Sequence, residues 1–454
     1  MTLGLDGTSL DSFNYICVLI CQGVIQLKSS KGLVVFMGCI MLLNGCSTPD
    51  SKSAEPQEKP VPASYEPTTI KLYASESYLN DTEIQNYIKE PLSKKYPHIS
   101  LEVVRPVKDI TLESLVVSGD VPDIFLNWNG GVKDLKTLGL ASELDTLIAK
   151  QKFDLTSLES VLLDAIRNES EDKKLYAIPY AQNFQLMYYN KDIFDQVGVP
   201  YPKDGMTWEQ AIDIGKTITA KSNGTYKGLH VTWSEMAFQL SLPFIDPSTQ
   251  TSAMTGELWK RVFETAYNVW TIPDNTLTTY GDGLFLKDKT LAMWAYKNRN
   301  NQMKEPGEAG LRWDVVQFPT FKEKPGVTSQ VDAHVAVISP TSKKKEDALR
   351  VLEMLTSKES QEMMSLQGRL PAMKTKTIVE EFGSNIPYLK DKNWKGVLSG
   401  TTGLPPKRLL PDSYFVKYAV QSFNDYVVGK NDLNTTLRKA GEQMDQAYRG
   451  NKRQ

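Results

Sequence analysis

Residues 69–104 read TIKLYASESYLNDTEIQNYIKEPLSKKYPHISLEVV, and this stretch decides the fold class. From Thr69 to Ala74 apolar and polar residues alternate, the two-residue period of a strand with one face buried. From Thr82 to Tyr96 the apolar residues Ile84, Tyr87, Ile88 and Leu92 instead fall at the three- and four-residue spacing of one helical face. Alternation resumes from Ile99 to Val104, so the chain opens as β-α-β.

Working outward, Asp120-Val-Pro-Asp-Ile-Phe-Leu126 predicts a turn and a third strand, and Ser157 to Arg167 another amphipathic helix. Thr207-Trp-Glu-Gln210 is a capping box that opens a later helix. Further helices are expected over 343–356, 359–366, 414–428 and 433–448. Strands alternating with helices, and no short repeat, predict a layered α/β protein rather than a solenoid or propeller.

The chain has 454 residues, too many for one ordinary core, so two lobes are expected. Fifty-two basic residues against 54 acidic ones leave a formal charge of −2, without the basic excess that phosphate neutralisation needs, so no nucleic-acid partner is expected. The three histidines, His98, His230 and His334, fit no metal-site spacing, and no phosphate-binding loop is present. Neither metal nor cofactor is expected, and no enzymatic activity. All four cysteines, Cys17, Cys21, Cys39 and Cys46, lie near the amino terminus, which leaves the folded part without a thiol.

Lys28 to Lys31 is basic, Leu33 to Leu43 is apolar, and Leu43-Asn-Gly-Cys46 follows. That order reads as a secretion signal, and the apolar run, about 16 Å long as a helix, is short for a bilayer core of about 30 Å. Its L-x-G-C ending resembles the bacterial lipobox, which implies a lipid on Cys46 and a protein anchored at the outer face of the cell membrane; a plain signal peptide is the alternative. Ser47 to Pro67 is polar and proline-rich, a solvated tether. The extra apolar stretch from Tyr15 to Leu27 is read as lying upstream of the true start, within a 1–46 signal region.

The segments GDVPDI (119–124), LYAIPY (175–180), YNKDIF (189–194), VGVP (197–200) with Thr207-Trp-Glu, KTLAM (289–293), VVQFPT (315–320), VAVIS (335–339) and QGRLPA (367–372) occur in that order. Their succession resembles the extracellular solute-binding proteins of family 1, the capture subunits of ABC importers known best for sugars. The resemblance implies a two-lobed, type II periplasmic-binding-protein-like α/β fold whose hinged lobes enclose a ligand cleft. Carried over, lobe one spans 68–179 plus 333–382 and lobe two 181–331 plus 386–450, with crossings near 178–180, 330–334 and 382–387. The implied partners are a small solute, mono- or oligosaccharide foremost, and the permease subunits of an ABC transporter; the protein is expected to be a monomer.

A sugar offers hydroxyl rims and apolar C–H faces, so its site needs amides, charged forks and aromatic planes. Trp128 and Asn129, at a strand's carboxyl end before Gly130-Gly131, are the first candidates, with a core-capping role for Trp128 as the alternative. Glu76, Ser77 and Tyr78 follow the first strand, where the resemblance implies a loop that contacts ligand, with a solvated turn as the alternative for Glu76. Tyr180 and Asn183 lie at a crossing, where they either touch ligand or pack the hinge. Trp233, Trp294 and Tyr296 offer stacking faces, or fill the core. Asp332 and His334 stand at the return crossing, where many relatives have glycines. Arg369 is either a ligand-binding fork or half of a surface ion pair. Paired phenolates at Tyr188-Tyr189 are discounted as a metal site, because strand neighbours point to opposite faces. The rival readings are a lipid-anchored glycoside hydrolase and a surface interaction module.

Overall fold

The computed structural model describes residues 66–107, 110–275, 281–373 and 376–451; the expected signal, lipobox and most of the tether lie outside the described residues. The quoted stretch forms β1 (Thr68–Tyr73), helical segments from Asp81 to Lys95, and β2 (Ile99–Val104), with the two strands parallel and Thr68 opposite Ile99. Asn80 caps the helical segment: its side chain accepts from the Glu83 amide, and Glu83 accepts from the Asn80 amide.

Ten further strands follow: β3 (Ile124–Trp128), β4 (Ile178–Asn183), β5 (Gln185–Asn190), β6 (Lys227–His230), β7 (Leu291–Lys297), β8 (Trp313–Gln317), β9 (Val327–Gln330), β10 (Asp332–Ile338), β11 (Leu370–Pro371) and β12 (Thr401–Gly403). They make a six-stranded sheet, β11-β4-β10-β3-β1-β2, and a four-stranded sheet, β6-β7-β5-β8, with β12 and β9 paired separately. Asp123, at the entry to β3, accepts from the Lys71 amide at 2.9 Å and the Ser342 hydroxyl at 2.6 Å. That carboxylate therefore ties β3 to both β1 and the turn after β10.

Each sheet has its own core. Ile70, Leu72, Phe125, Val335 and Val337 of the larger sheet are buried with Leu162 and Leu349 from the helices Ser160–Asn168 and Lys345–Leu355; this is lobe one. The smaller sheet buries both faces: Met187 and Tyr189 of β5 pack with Trp208, Phe263 and Phe423, whereas Leu186 and Tyr188 pack with Phe285, Trp294 and Trp313. This two-sided burial, lobe two, follows from the alternation of a strand. The capping box at Thr207 forms as the sequence predicts, the Thr207 hydroxyl accepting from Gln210 N and Gln210 Oε1 accepting from Thr207 N.

The chain passes from lobe one to lobe two at Phe184, between β4 and β5, returns at Val331, between β9 and β10, and crosses again between Ala372 of the first core and Phe382 of the second. The first passage comes later than the expected 178–180, because β4 stays paired with β10 as far as Asn183 opposite Asp332. Phe382, at the margin of the expected first lobe, packs into the second. No helix among the described residues is long and apolar enough to cross a membrane.

Candidate ligand cleft at the lobe junction

The carboxyl end of β3, the loop after β1 and the two hinge passages bring a set of polar side chains together. Tyr78 donates its hydroxyl to Asn127 Oδ1 at 3.1 Å, and the same oxygen accepts from the Trp128 amide at 2.9 Å. The Tyr78 ring meets His334 edge-on, with centroids 5.2 Å apart. Arg369 lies 3.3 Å from His334 Nδ1; a guanidinium only donates, so Nδ1 accepts and the imidazole is neutral. Burial, with the Arg369 charge beside it, pushes His334 down to about 4.

Arg369 itself is forked onto Glu83, Nε to Oε1 at 2.9 Å and Nη2 to Oε2 at 3.0 Å. The pair is only 17% and 15% exposed, so it is no surface ion pair, and Arg369 acts inside lobe one by fixing His334.

On the other side of the hinge, Lys297 ends β7 with its ammonium 3.5 Å from Asp332 and 4.2 Å from the centre of the Phe238 ring. Asp332 is 5% exposed and Glu235, on the helix Trp233–Gln239, 6%. Gln185 donates to the Glu235 carboxylate at 2.7 Å and to its carbonyl at 2.8 Å. Burial raises the Glu235 carboxyl, and the nearby Lys297 charge opposes that rise. Beside this cluster three rings stack in sequence: Tyr188 on Trp294 at 5.4 Å, then Trp294 on Tyr296 at 5.4 Å and 13°. Arg299 lies 4.9 Å from the half-buried Tyr296 ring.

The candidates from the sequence divide accordingly. Asp332, His334 and Tyr296 fall in the cluster, and Asn183 lies at its edge, its Oδ1 accepting from Phe184 N at the passage itself. Tyr180 is fully buried 6.1 Å from His334, its hydroxyl without a protein partner among the described residues. Asn129 is fully buried and accepts from the Ala333 amide at 2.9 Å, which ties the β3 turn to β10. Trp233 and Trp294 are core residues, 7% and 2% exposed: Trp233 starts a helix and packs on Trp259 and Phe263, and Trp294 lies within β7 rather than after a strand. Trp128 is half-buried, with the Arg408 guanidinium 5.2 Å from its ring, and Gly130 is required there because a Cβ would come within 2.3 Å of the indole. Glu76 and Ser77 are exposed in the loop after β1.

Asn127, Gln185, Lys297 and Arg299 were not singled out by sequence reasoning, whereas Tyr78, a candidate in the loop after the first strand, falls in the cluster on Asn127 and His334. One signal was available: Lys297 ends β7 and Asn127 is the last but one residue of β3, near strand ends where α/β sheets place ligands.

A family model for bacterial extracellular solute-binding proteins matches residues 78–362. A binding protein of Brucella abortus is 23% identical over 319 residues, 66% of this chain and 74% of its own. Among solved structures, an ABC substrate-binding protein from Listeria monocytogenes in complex with cycloalternan is 21% identical, with a TM-score of 0.70 over 84% of this chain and 99% of that one. The cyclic α-maltosyl-1,6-maltose binding protein of Arthrobacter globiformis is 14% identical, with a TM-score of 0.67 over 85% and 100%. The family holds solutes for transport and does not transform them. With two α/β lobes joined by three crossings of the chain, a polar junction between them and a matching model over most of its folded length, this chain belongs to the bacterial extracellular solute-binding proteins.

Proposed function

We propose that the protein captures a carbohydrate between its lobes at the outer face of the cell membrane, held there by a lipid on Cys46, and passes it unaltered to an ABC permease. The observation that carries this reading is the half-buried Tyr296 face, stacked on Trp294, beside hydrogen-bonding groups drawn from both lobes: Asn127, His334, Asp332 and Lys297. An aromatic plane suits the apolar face of a pyranose, and amide, carboxylate and ammonium groups suit its hydroxyl rim. The neighbour solved with cycloalternan and the neighbour named as a cyclic α-maltosyl-1,6-maltose binding protein support the same chemistry. The two cores support a division close to 68–179 plus 333–382 and 181–331 plus 386–450, with the first boundary moved to Phe184 and Phe382 turned toward the second lobe.

Ligand contacts from both lobes would favour the closed state through differential affinity. A thermal-shift panel of mono- and oligosaccharides tests the reading. A true ligand at about 100 times its dissociation constant adds about 2.7 kcal/mol of stability. No stabilisation by any saccharide, or recovery of a covalently changed sugar, would overturn it. Palmitate labelling of Cys46, lost in Cys46→Ser, tests the anchor.

A further inference from the structure

Away from the Tyr78–Lys297 cluster, an arginine of lobe two reaches back to lobe one. Arg408 lies in the loop after β12, whose neighbours Leu409 and Leu410 pack against the core of lobe two. Its own side chain leaves that core: Nη1 donates to Glu169, at the end of the lobe-one helix Ser160–Asn168, and the guanidinium lies 5.2 Å from the lobe-one Trp128 ring. Nε donates to Asp412 of its own loop at 2.9 Å. The Arg408 and Glu169 side chains are only 5% and 2% exposed, and Glu169 Oε2 has no hydrogen-bond partner among the described residues.

We propose that Arg408 is a positioning residue for capture: its grip on Glu169 sets the balance between hinge states without touching the solute. The inference rests on the two-lobed capture reading. Any hinge rotation that moves the lobes apart at this point must uncover Glu169 or leave it buried without its cation. Such a pair is a two-position catch, because half of it cannot be kept buried cheaply.

The catch also responds to protons. Burial raises the Glu169 carboxyl to about 7 against an ordinary 4.5, with Arg408 opposing that rise, Asp412 reinforcing it and Lys133 opposing it. On the helix Val132–Thr137 beside it, burial and Asp412 raise Asp134 to about 6. A carboxyl raised in the gripped state binds its proton there, so that state gains as pH falls from about 7 toward 4.5 and loses as pH rises through 7.

The test is a distance measurement between spin labels at Val117→Cys in lobe one and Val428→Cys in lobe two, 88% and 75% exposed, with the four native cysteines replaced by serine. Without ligand, Arg408→Met is expected to shift the ratio of hinge populations at least about fivefold, the lower end of typical couplings between sites. The wild-type distance distribution is expected to change between pH 8 and pH 5.5, and that change to shrink in Glu169→Gln. If Arg408→Met fails to melt cooperatively, the pH comparison of wild type with Glu169→Gln decides alone. Superimposable distributions across variants and pH values would overturn the proposal. No solute enters the measurement, so failure to bind sugars would strike the functional reading and leave this one standing.

Discussion

Replacing Lys297 by methionine removes the cation nearest two buried carboxylates while keeping most of the side-chain volume. At 3.5 Å and an effective dielectric of about 20, the Lys297–Asp332 attraction is about 5 kcal/mol before desolvation. Removing one partner of a buried pair costs about 3–5 kcal/mol, and because Lys297 keeps 26% of its surface the lower figure applies. Lobe two should therefore lose about 3 kcal/mol at pH 8, a fall in melting temperature of about 6 °C or more. The deficit should depend on pH. Burial already raises Glu235, and without Lys297 it rises further, so the variant takes up protons more readily and its deficit narrows toward pH 5. Differential scanning calorimetry of wild type and variant at pH 8 and pH 5 measures both effects. A deficit below about 1 kcal/mol, or one of equal size at the two pH values, would refute the view that Lys297 neutralises this cluster.

Three further outcomes are expected. Tyr296→Ala should weaken binding of any stabilising saccharide tenfold or more in calorimetric titration, while the apo melting temperature moves little, since the ring is only half-buried. Gly130→Ala should cost about 1–3 kcal/mol in thermal melts and alter the indole fluorescence, because its Cβ would overlap the Trp128 ring. His334 is depressed from 6.5 to about 4, so its neutral form contributes stability that is fully present above 6.5 and lost as pH falls through 4. His334→Gln should therefore lose less stability than wild type between pH 7 and pH 4 in urea titrations, by up to about 3 kcal/mol.

The elements read most easily from the sequence were those whose signal is local. β1, the capped helix and β2 follow from spacing within 36 residues, and the Thr207 box from four. The first hinge passage was placed too early because pairing between β4 and β10 sets it, and those strands are about 150 residues apart. The site was less legible for a related reason. Trp233 and Trp294 attracted attention by residue type, yet an indole suits a core as well as a sugar, and sequence cannot tell which side of a strand faces the junction. Lys297 escaped notice because charged residues are mostly exposed; only the fold brings Asp332 beside it.

β10 occupies the middle of the larger sheet, between β4 and β3. Until residues 332–338 emerge from the ribosome, that sheet exists only as two separate fragments, one of β4 and the other of β1, β2 and β3. The amino-terminal half therefore cannot complete its fold during synthesis of the segment between them, and such non-local closure is intrinsically slow. A keystone strand that arrives this late postpones closure of the larger sheet until about three-quarters of the chain has been made.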